Sequence, residues 1–332
     1  ALGAFSEALS EKGSKLVLRR GVALDVLRDV IAESGATQVH WGRLYDPASR
    51  RIDSDIKKTL RADGVQAHSH IGHLLHEPMS VKTQTGDFYK VFTPFWRNIQ
   101  SADVAFPKND PKSLPQPEDW PTSECLNDWA IASDMYRGAD VLARYSTAGE
   151  AAAWQKLYDF LEERAVTYKA ARDRLAENGT SDLSDNLAYG EISPRSIWHL
   201  GQKAIASGAQ GLEPFLRQIA WRDFAHHLMY HTPHMLQENW REGWDNFPWN
   251  EDTESSAVMA WKMGTTGIDF VDGAVEGWSV AAQNKMPHAY KAGSQTELLK
   301  AQIMAMPQGG TFAMVAPPNA CRCPPGPYER VS

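Results

Sequence analysis

A parallel α/β domain followed by an all-helical domain is the fold class this sequence predicts, and three patterns predict it. Up to about residue 70, short β-branched runs alternate with amphipathic helical stretches, and such alternation builds a parallel sheet through right-handed crossovers. Beyond Gly149, apolar residues recur at helical spacing with little strand signal. Between the two, five prolines fall within the sixteen residues from Phe106 to Pro121, a density that suits neither helix nor sheet interior. The 332 residues exceed what one hydrophobic core ordinarily supports, so two domains are expected. The divisions fall at residues 1–105, an α/β domain; 106–148, a linker; 149–275, a helical domain; and 276–332, a tail of different character.

Taken in order, Leu2, Phe5 and Leu9 mark an opening helix, and Gly13 stands where a helix C′ glycine belongs. Lys15 to Arg19 (KLVLR) reads as a strand, and Ala23 to Ser34 as a helix with Val26, Leu27, Val30 and Ile31 inward and Gly35 at its stop. Thr37 to Trp41 is a second strand, Asp53 to Ala62 a helix facing inward through Ile56 and Leu60, and Val65 to His70 a third strand. A doubly wound parallel sheet normally begins with a strand, and none precedes the opening helix. The sheet is therefore expected to be incomplete at its start. No GxGxxG fingerprint is present. After the linker, Trp154, Leu157, Phe160, Leu161 and Ala165 form one helical stripe. Ser193-Pro194-Arg195 carries an N-cap and N1-proline signature for a helix to Ser207, and a further helix runs from Leu212 to His231, closed by Thr232-Pro233. In the tail, Gln295 to Met306 is helical in pattern, and a Gly- and Pro-rich, poorly ordered run follows.

Composition narrows the function classes. Apolar residues make up 42% and charged residues 23%, and no apolar run approaches the ~20 residues of a membrane span. A net charge of −7 argues against indiscriminate nucleic-acid binding while leaving room for a local basic groove. Cys125, Cys321 and Cys323 give no disulfide framework, so a reducing cytoplasm is expected, and no secretory signal is read at the start of the chain. His227 and His231 stand at zinc-binding spacing near His226 and His234, but no acidic or cysteine ligand accompanies them, and Cys321-x-Cys323 is isolated. No metal is expected.

Two stretches carry chemistry. In GTSDLS, Gly179, Thr180, Ser181 and Ser184 place hydroxyls and backbone N–H groups in a short turn that suits a phosphate; taken alone, the same residues also read as a serine-rich helix cap. In FLRQIAWRDF, Trp221 and Arg222 adjoin on an amphipathic helix; alone, they equally read as a core tryptophan and an arginine paired with Asp223.

GTSDLSDNLAYGEISPRSIWH, FLRQIAWRDFAHHLMYHTPH, DNFPW and AWKMGTTGIDFVD occur in this order, and with KLVLRRG, VHWGRLYDP and VFTPFWR earlier in the chain they resemble the photolyase and cryptochrome family over roughly residues 1–272. Tyr168 precedes Thr180 by twelve residues, as the family's flavin-contacting tyrosine precedes its Thr-Ser-x-Leu-Ser turn. The resemblance implies a Rossmann-like antenna domain, lacking its first strand, and an all-α FAD-binding domain. It implies that Tyr168, Thr180, Ser181, Leu183 and Ser184 hold FAD and that Arg222 lies against the flavin, where a cation stabilises a reduced, anionic ring. Trp221 would stack on a flipped pyrimidine dimer and Gln218 would hydrogen-bond it. Trp261 matches the outermost member of the family's electron-transferring tryptophan chain, though alone it reads as a half-buried or exposed helix residue.

The departures are specific. Many cyclobutane-dimer photolyases carry glutamate where Gln218 stands; glutamine, more familiar in (6-4) photolyases and animal cryptochromes, can donate and accept but supplies neither proton nor charge. Gly42 and Asp46 replace the family's asparagine and glutamate, so a folate- or deazaflavin-type antenna pigment has lost two usual contacts. After Asp272 neither the family's asparagine facing flavin N5 nor its inner tryptophans can be placed, and the tail reads as a frameshifted or recombined end or as sequence from a fragmentary source. The implied function is light-driven repair of UV-damaged DNA by a monomer; a signalling cryptochrome and an inactive fragment are the alternatives.

Overall fold

The structure, a computed structural model, describes residues 1–131, 133, 143, 146–174, 177–248, 252–269 and 271–272; the expectations for residues 276–332 and for Cys321 and Cys323 lie outside them. The chain forms two compact units. Within the described residues, one comprises Leu2–His73 with Asn109–Trp129, and the other Leu74–Lys108 with the chain from Ala130 onward.

The first unit holds α1 (Leu2–Glu11), α2 (Ala23–Ser34), β1 (Gln38–Gly42), α3 (Pro47–Ala62) and β2 (Gln66–His70). β1 and β2 pair in parallel, Gln38 opposite Gln66 and Gly42 opposite His70, with α3 as the crossover. Gly35 closes α2 in the left-handed conformation, φ 67°, its N–H donating to the Ile31 carbonyl. α3 begins at Pro47, earlier than the apolar period predicts, because the Asp46 carboxylate accepts the Ser49 N–H at 2.8 Å and proline occupies the first turn. Val26, Val30, Val39, Trp41, Leu60 and Ala67 form the core of this unit. Gln38 and His40 alternate outward with inward-facing Val39 and Trp41, so one face of the strand pair is apolar and the other polar.

One expectation is corrected. Lys15 to Arg19 forms no strand of this sheet; the only ladder among the described residues is β1 with β2. The segment lies instead along residues 122–124. The Leu18 N–H donates to Ser123 Oγ at 2.9 Å, the Leu18 carbonyl accepts the Glu124 N–H at 2.8 Å, and Arg19 Nε donates to the Thr122 carbonyl at 2.9 Å. β-Branched composition marked an extended segment, and the partner that satisfied its backbone was a loop.

The second unit is helical. It contains α4 (Phe92–Ile99), α5 (Glu150–Asp159), a π-helical turn (Phe160–Arg164), α6 (Tyr168–Ala171), α7 (Ser184–Ala188), α8 (Pro194–Ala206), α9 (Leu212–His231) and α10 (Ser256–Met263). Ser193 caps α8 by accepting the Arg195 N–H, and Pro194 stands in its first turn, as the sequence predicts. α9 is the central element, burying Phe215, Leu216, Ile219, Ala220 and Phe224. Sequence patterning assigns residues 74–105 to the α/β domain, yet Leu74–Lys108 belongs to this compact unit. The cause is α4: Phe92, Phe95, Trp96 and Ile99 are all buried in the core that α9 shares. Pro94 falls in the first turn of α4, where a missing N–H costs nothing.

Candidate functional site

Gln218, Trp221 and Arg222 stand on α9, and Tyr168 packs against its start. Near its start, the Phe215 ring meets Phe160 at 4.6 Å and Tyr168 edge-on at 5.6 Å between centroids. Burial pushes the Tyr168 phenol above its ordinary pKa, and Arg172 partly offsets this. Arg222 lies seven residues after Phe215, two turns on along the same helix face and about 10 Å away at the ordinary helical rise. It is buried.

The turn from Gly179 to Ser184 is braced against the segment that carries Tyr168. Arg164, at the end of the π turn, donates to the Thr180 carbonyl at 2.9 Å and lies 3.5 Å from the Asp182 carboxylate. Asp182 adopts the left-handed conformation, φ 55°, and accepts the Thr180 hydroxyl at 2.9 Å. The arginine offsets a carboxylate that would otherwise repel an anion. Among the described residues, the Ser181 and Ser184 hydroxyls make no hydrogen bond, and the Ser181, Leu183 and Ser184 N–H groups donate to no backbone carbonyl. These unspent donors suit phosphate oxygens. Gly179 is required for the close approach: a Cβ there would stand 2.5 Å from the Ala171 carbonyl carbon and oxygen. Gly179→Ala is expected to lift the turn off α6 and to cost about 1–3 kcal/mol, seen as a lower unfolding midpoint in thermal denaturation.

Farther along α9, Trp221 stacks on Phe92 of α4, with centroids 3.7 Å apart and planes 10° from parallel, and remains 38% exposed. Gln218 is half-buried one turn before it. Trp261 on α10 is 57% exposed and makes no ring contact among the described residues. Thus Tyr168 and the Thr180–Ser184 turn lie on one shared segment, and Gln218, Trp221 and Arg222 share a helix, whereas Trp261 stands apart.

Two features escaped the sequence reading. Asp223 is fully buried and accepts the N–H groups of Leu75 and His76, both at 2.9 Å, while Arg195 of α8 donates from Nε to the Leu74 carbonyl at 3.2 Å. The segment entering this unit is therefore clamped by two helices. Burial pushes the Asp223 carboxyl up to about 7 against the opposing pull of those two N–H groups, Arg222 and Arg195. His227 is the converse case: burial and His231 hold its imidazole down at about 4, with Nε2 accepting the Tyr89 N–H at 3.1 Å. The second feature is Phe92, the ring behind Trp221. No local signal marks either contact, because each joins residues far apart in sequence.

Comparison with known proteins bears on the family of the chain. Residues 1–117 match the profile described as DNA photolyase, and residues 215–280 that described as the FAD binding domain of DNA photolyase. A deoxyribodipyrimidine photo-lyase of Agrobacterium fabrum is 40% identical over 276 residues, 82% of this chain and 57% of its own length. The chain belongs to the DNA photolyase and cryptochrome family. A class III photolyase of Agrobacterium tumefaciens, 35% identical, superposes with a TM-score of 0.78 over 92% of this chain and 62% of its own. Cryptochrome-1 of Arabidopsis thaliana is 28% identical, over 84% of this chain and 42% of its own length. The photolyase/cryptochrome relatives share the architecture of an N-terminal domain followed by a helical domain. The chain spans 57% of the length of the first photolyase relatives it matches. Residues 296–332 match a different flavoprotein profile, the central part of the sulfide dehydrogenase (flavocytochrome c) flavoprotein chain.

Proposed function

We propose that this photolyase-family chain serves light-driven repair of pyrimidine dimers in UV-damaged DNA, with FAD as cofactor. The observation that carries the reading is the placement, on one helix, of a partly exposed tryptophan beside a buried arginine, with unspent hydroxyl and amide donors on a turn braced by Arg164 and by Ala171 of the short helix that carries Tyr168. Those donors fit the pyrophosphate of FAD. Thr180, Ser181, Leu183 and Ser184 would hold it, Tyr168 would pack beside it, and Arg222 would place a fixed cation against the isoalloxazine. FAD, when bound and photoexcited in its reduced form, supplies the electron that opens the cyclobutane ring and then recovers it. Trp221 presents a flat exposed face to an extruded dimer, and Gln218, one turn away, offers a donor and an acceptor to its bases. Holding both partners in a dry pocket favours transfer to the dimer over loss to solvent. Trp261, exposed on α10, suits the outer end of an electron relay.

The α/β unit is read as part of a Rossmann-like antenna domain, residues 276–332 as a separate tail, and the working form as a cytoplasmic monomer. Among the described residues no helix is long and apolar enough to cross a membrane. A folate- or deazaflavin-type pigment would meet Gly42 and Asp46 in place of the usual contacts. Gln218 favours a second reading, a cryptochrome-type blue-light sensor with the same cofactor and no repair. Blue-light repair of a defined dimer, measured beside the visible flavin spectrum, separates the readings. Repair with a flavin band supports the photolyase; a flavin band without repair supports the sensor; absence of flavin after reconstitution with FAD overturns both in favour of an inactive fragment.

A further inference from the structure

We propose that Arg217 binds a backbone phosphate of the DNA strand whose extruded bases Trp221 receives. The proposal rests on reading the Trp221 face as a DNA surface and assigns that surface its anion contact. Arg217 lies one turn before Trp221 on α9. Its guanidinium lies over the Phe92 ring at 5.8 Å and the Trp96 ring at 5.9 Å. Phe92 is the ring on which Trp221 stacks, so cation, backing ring and exposed indole form one continuous assembly.

Among the described residues Arg217 makes no ion pair and no hydrogen bond, and Glu213, four residues earlier on the same helix, is not paired with it. Its behaviour differs from that of Arg164 and Arg195, each of which spends its donors on a backbone carbonyl. An arginine lying over aromatic rings uses its π face; the N–H donors point along its edge and stay available. The rings also restrict its rotamers, so less side-chain entropy is lost when an anion arrives. A half-buried cation beside an exposed base-stacking indole calls for an acceptor with one negative charge and two oxygens in a fork, which is a phosphodiester. A nucleotide whose bases have left the stack carries such a group within reach of the indole that receives them.

The test is the salt dependence of binding of the full chain to a short duplex, with and without a single dimer, for the wild type, Arg217→Ala and Arg217→Lys. Loss of one phosphate contact should flatten the slope of log K against log salt by about one unit in Arg217→Ala, and weaken binding to both duplexes by a similar factor. Arg217→Lys should keep the slope. Flavin absorption and the unfolding midpoint should be unchanged in both variants, which separates a contact from a folding role. An unaltered slope in Arg217→Ala, or no binding of either duplex by the wild type, would overturn the proposal. So would a loss confined to the dimer-containing duplex, which would move Arg217 from backbone to lesion. If the slope falls but the wild type binds both duplexes equally and repairs neither, Arg217 keeps its role and the repair reading fails alone.

Discussion

Asp223→Ala is expected to be the most destabilising single substitution in the helical unit, costing on the order of 3–5 kcal/mol. Two buried backbone donors, the Leu75 and His76 N–H groups, would lose their shared acceptor, at roughly 1–3 kcal/mol each where no water replaces it. Arg222 and Arg195 would also lose the carboxyl that sits among them. Thermal or urea unfolding reads the effect directly. An unfolding midpoint like that of the wild type would mean that the Leu74–His76 clamp contributes nothing.

The same residue gives a pH signature. In the folded chain the Asp223 carboxyl titrates near about 7 rather than 3.8, so between those values the folded state holds a proton that the unfolded state has released. Stability from this group is therefore fully present at low pH and declines as pH rises towards 7. His227 works in the opposite sense: its imidazole, held down at about 4 instead of 6.5, is neutral when folded and protonated when unfolded, so stability rises from pH 4 to 6.5. In the wild type the two trends oppose each other over that interval. Asp223→Asn keeps a buried polar group but removes one trend, so its unfolding free energy should climb steadily from pH 4 to 6.5. A pH profile parallel to that of the wild type would contradict the assignment of Asp223.

How far the sequence could anticipate this depends on whether a contact is local. α8 and α9 were legible because their signals are written within a few residues: Ser193-Pro194 opens one, and Thr232-Pro233 closes the other. The Asp46-Pro47 start of α3 is equally local, but it lies in a stretch without apolar period, so a reading led by hydrophobic spacing began the helix too late. KLVLR shows the opposite failure. Its composition marks extended backbone, yet strand pairing is decided by the partner, here a loop around Ser123. The twelve-residue step from Tyr168 to Thr180 carries part of the family resemblance, whereas the π turn whose Arg164 donates to the Thr180 carbonyl leaves no compositional trace. Asp223 was read beside its neighbour Arg222. Its hydrogen-bonded partners lie 148 and 147 residues away, and no local pattern encodes them.

Trp221 gives the test most specific to repair. Its indole is 38% exposed and stacks on Phe92 at a 3.7 Å separation that leaves no room for a base between them. A lesion received as proposed would therefore stack on the side of the indole away from Phe92. Losing a base–aromatic stack is worth about 1–3 kcal/mol, so Trp221→Ala should bind dimer-containing DNA roughly 5- to 150-fold more weakly. Flavin content should stay level, because the rings around Trp221 belong to α4 and α9 rather than to the Tyr168 cluster. Trp221→Phe keeps an aromatic face and should recover much of the affinity. Phe92→Ala removes the support while leaving the indole in place, and should give a smaller loss of the same selectivity. Equal weakening for damaged and intact duplexes in Trp221→Ala would make the indole a general DNA contact, and selective reception of the dimer would then need another surface.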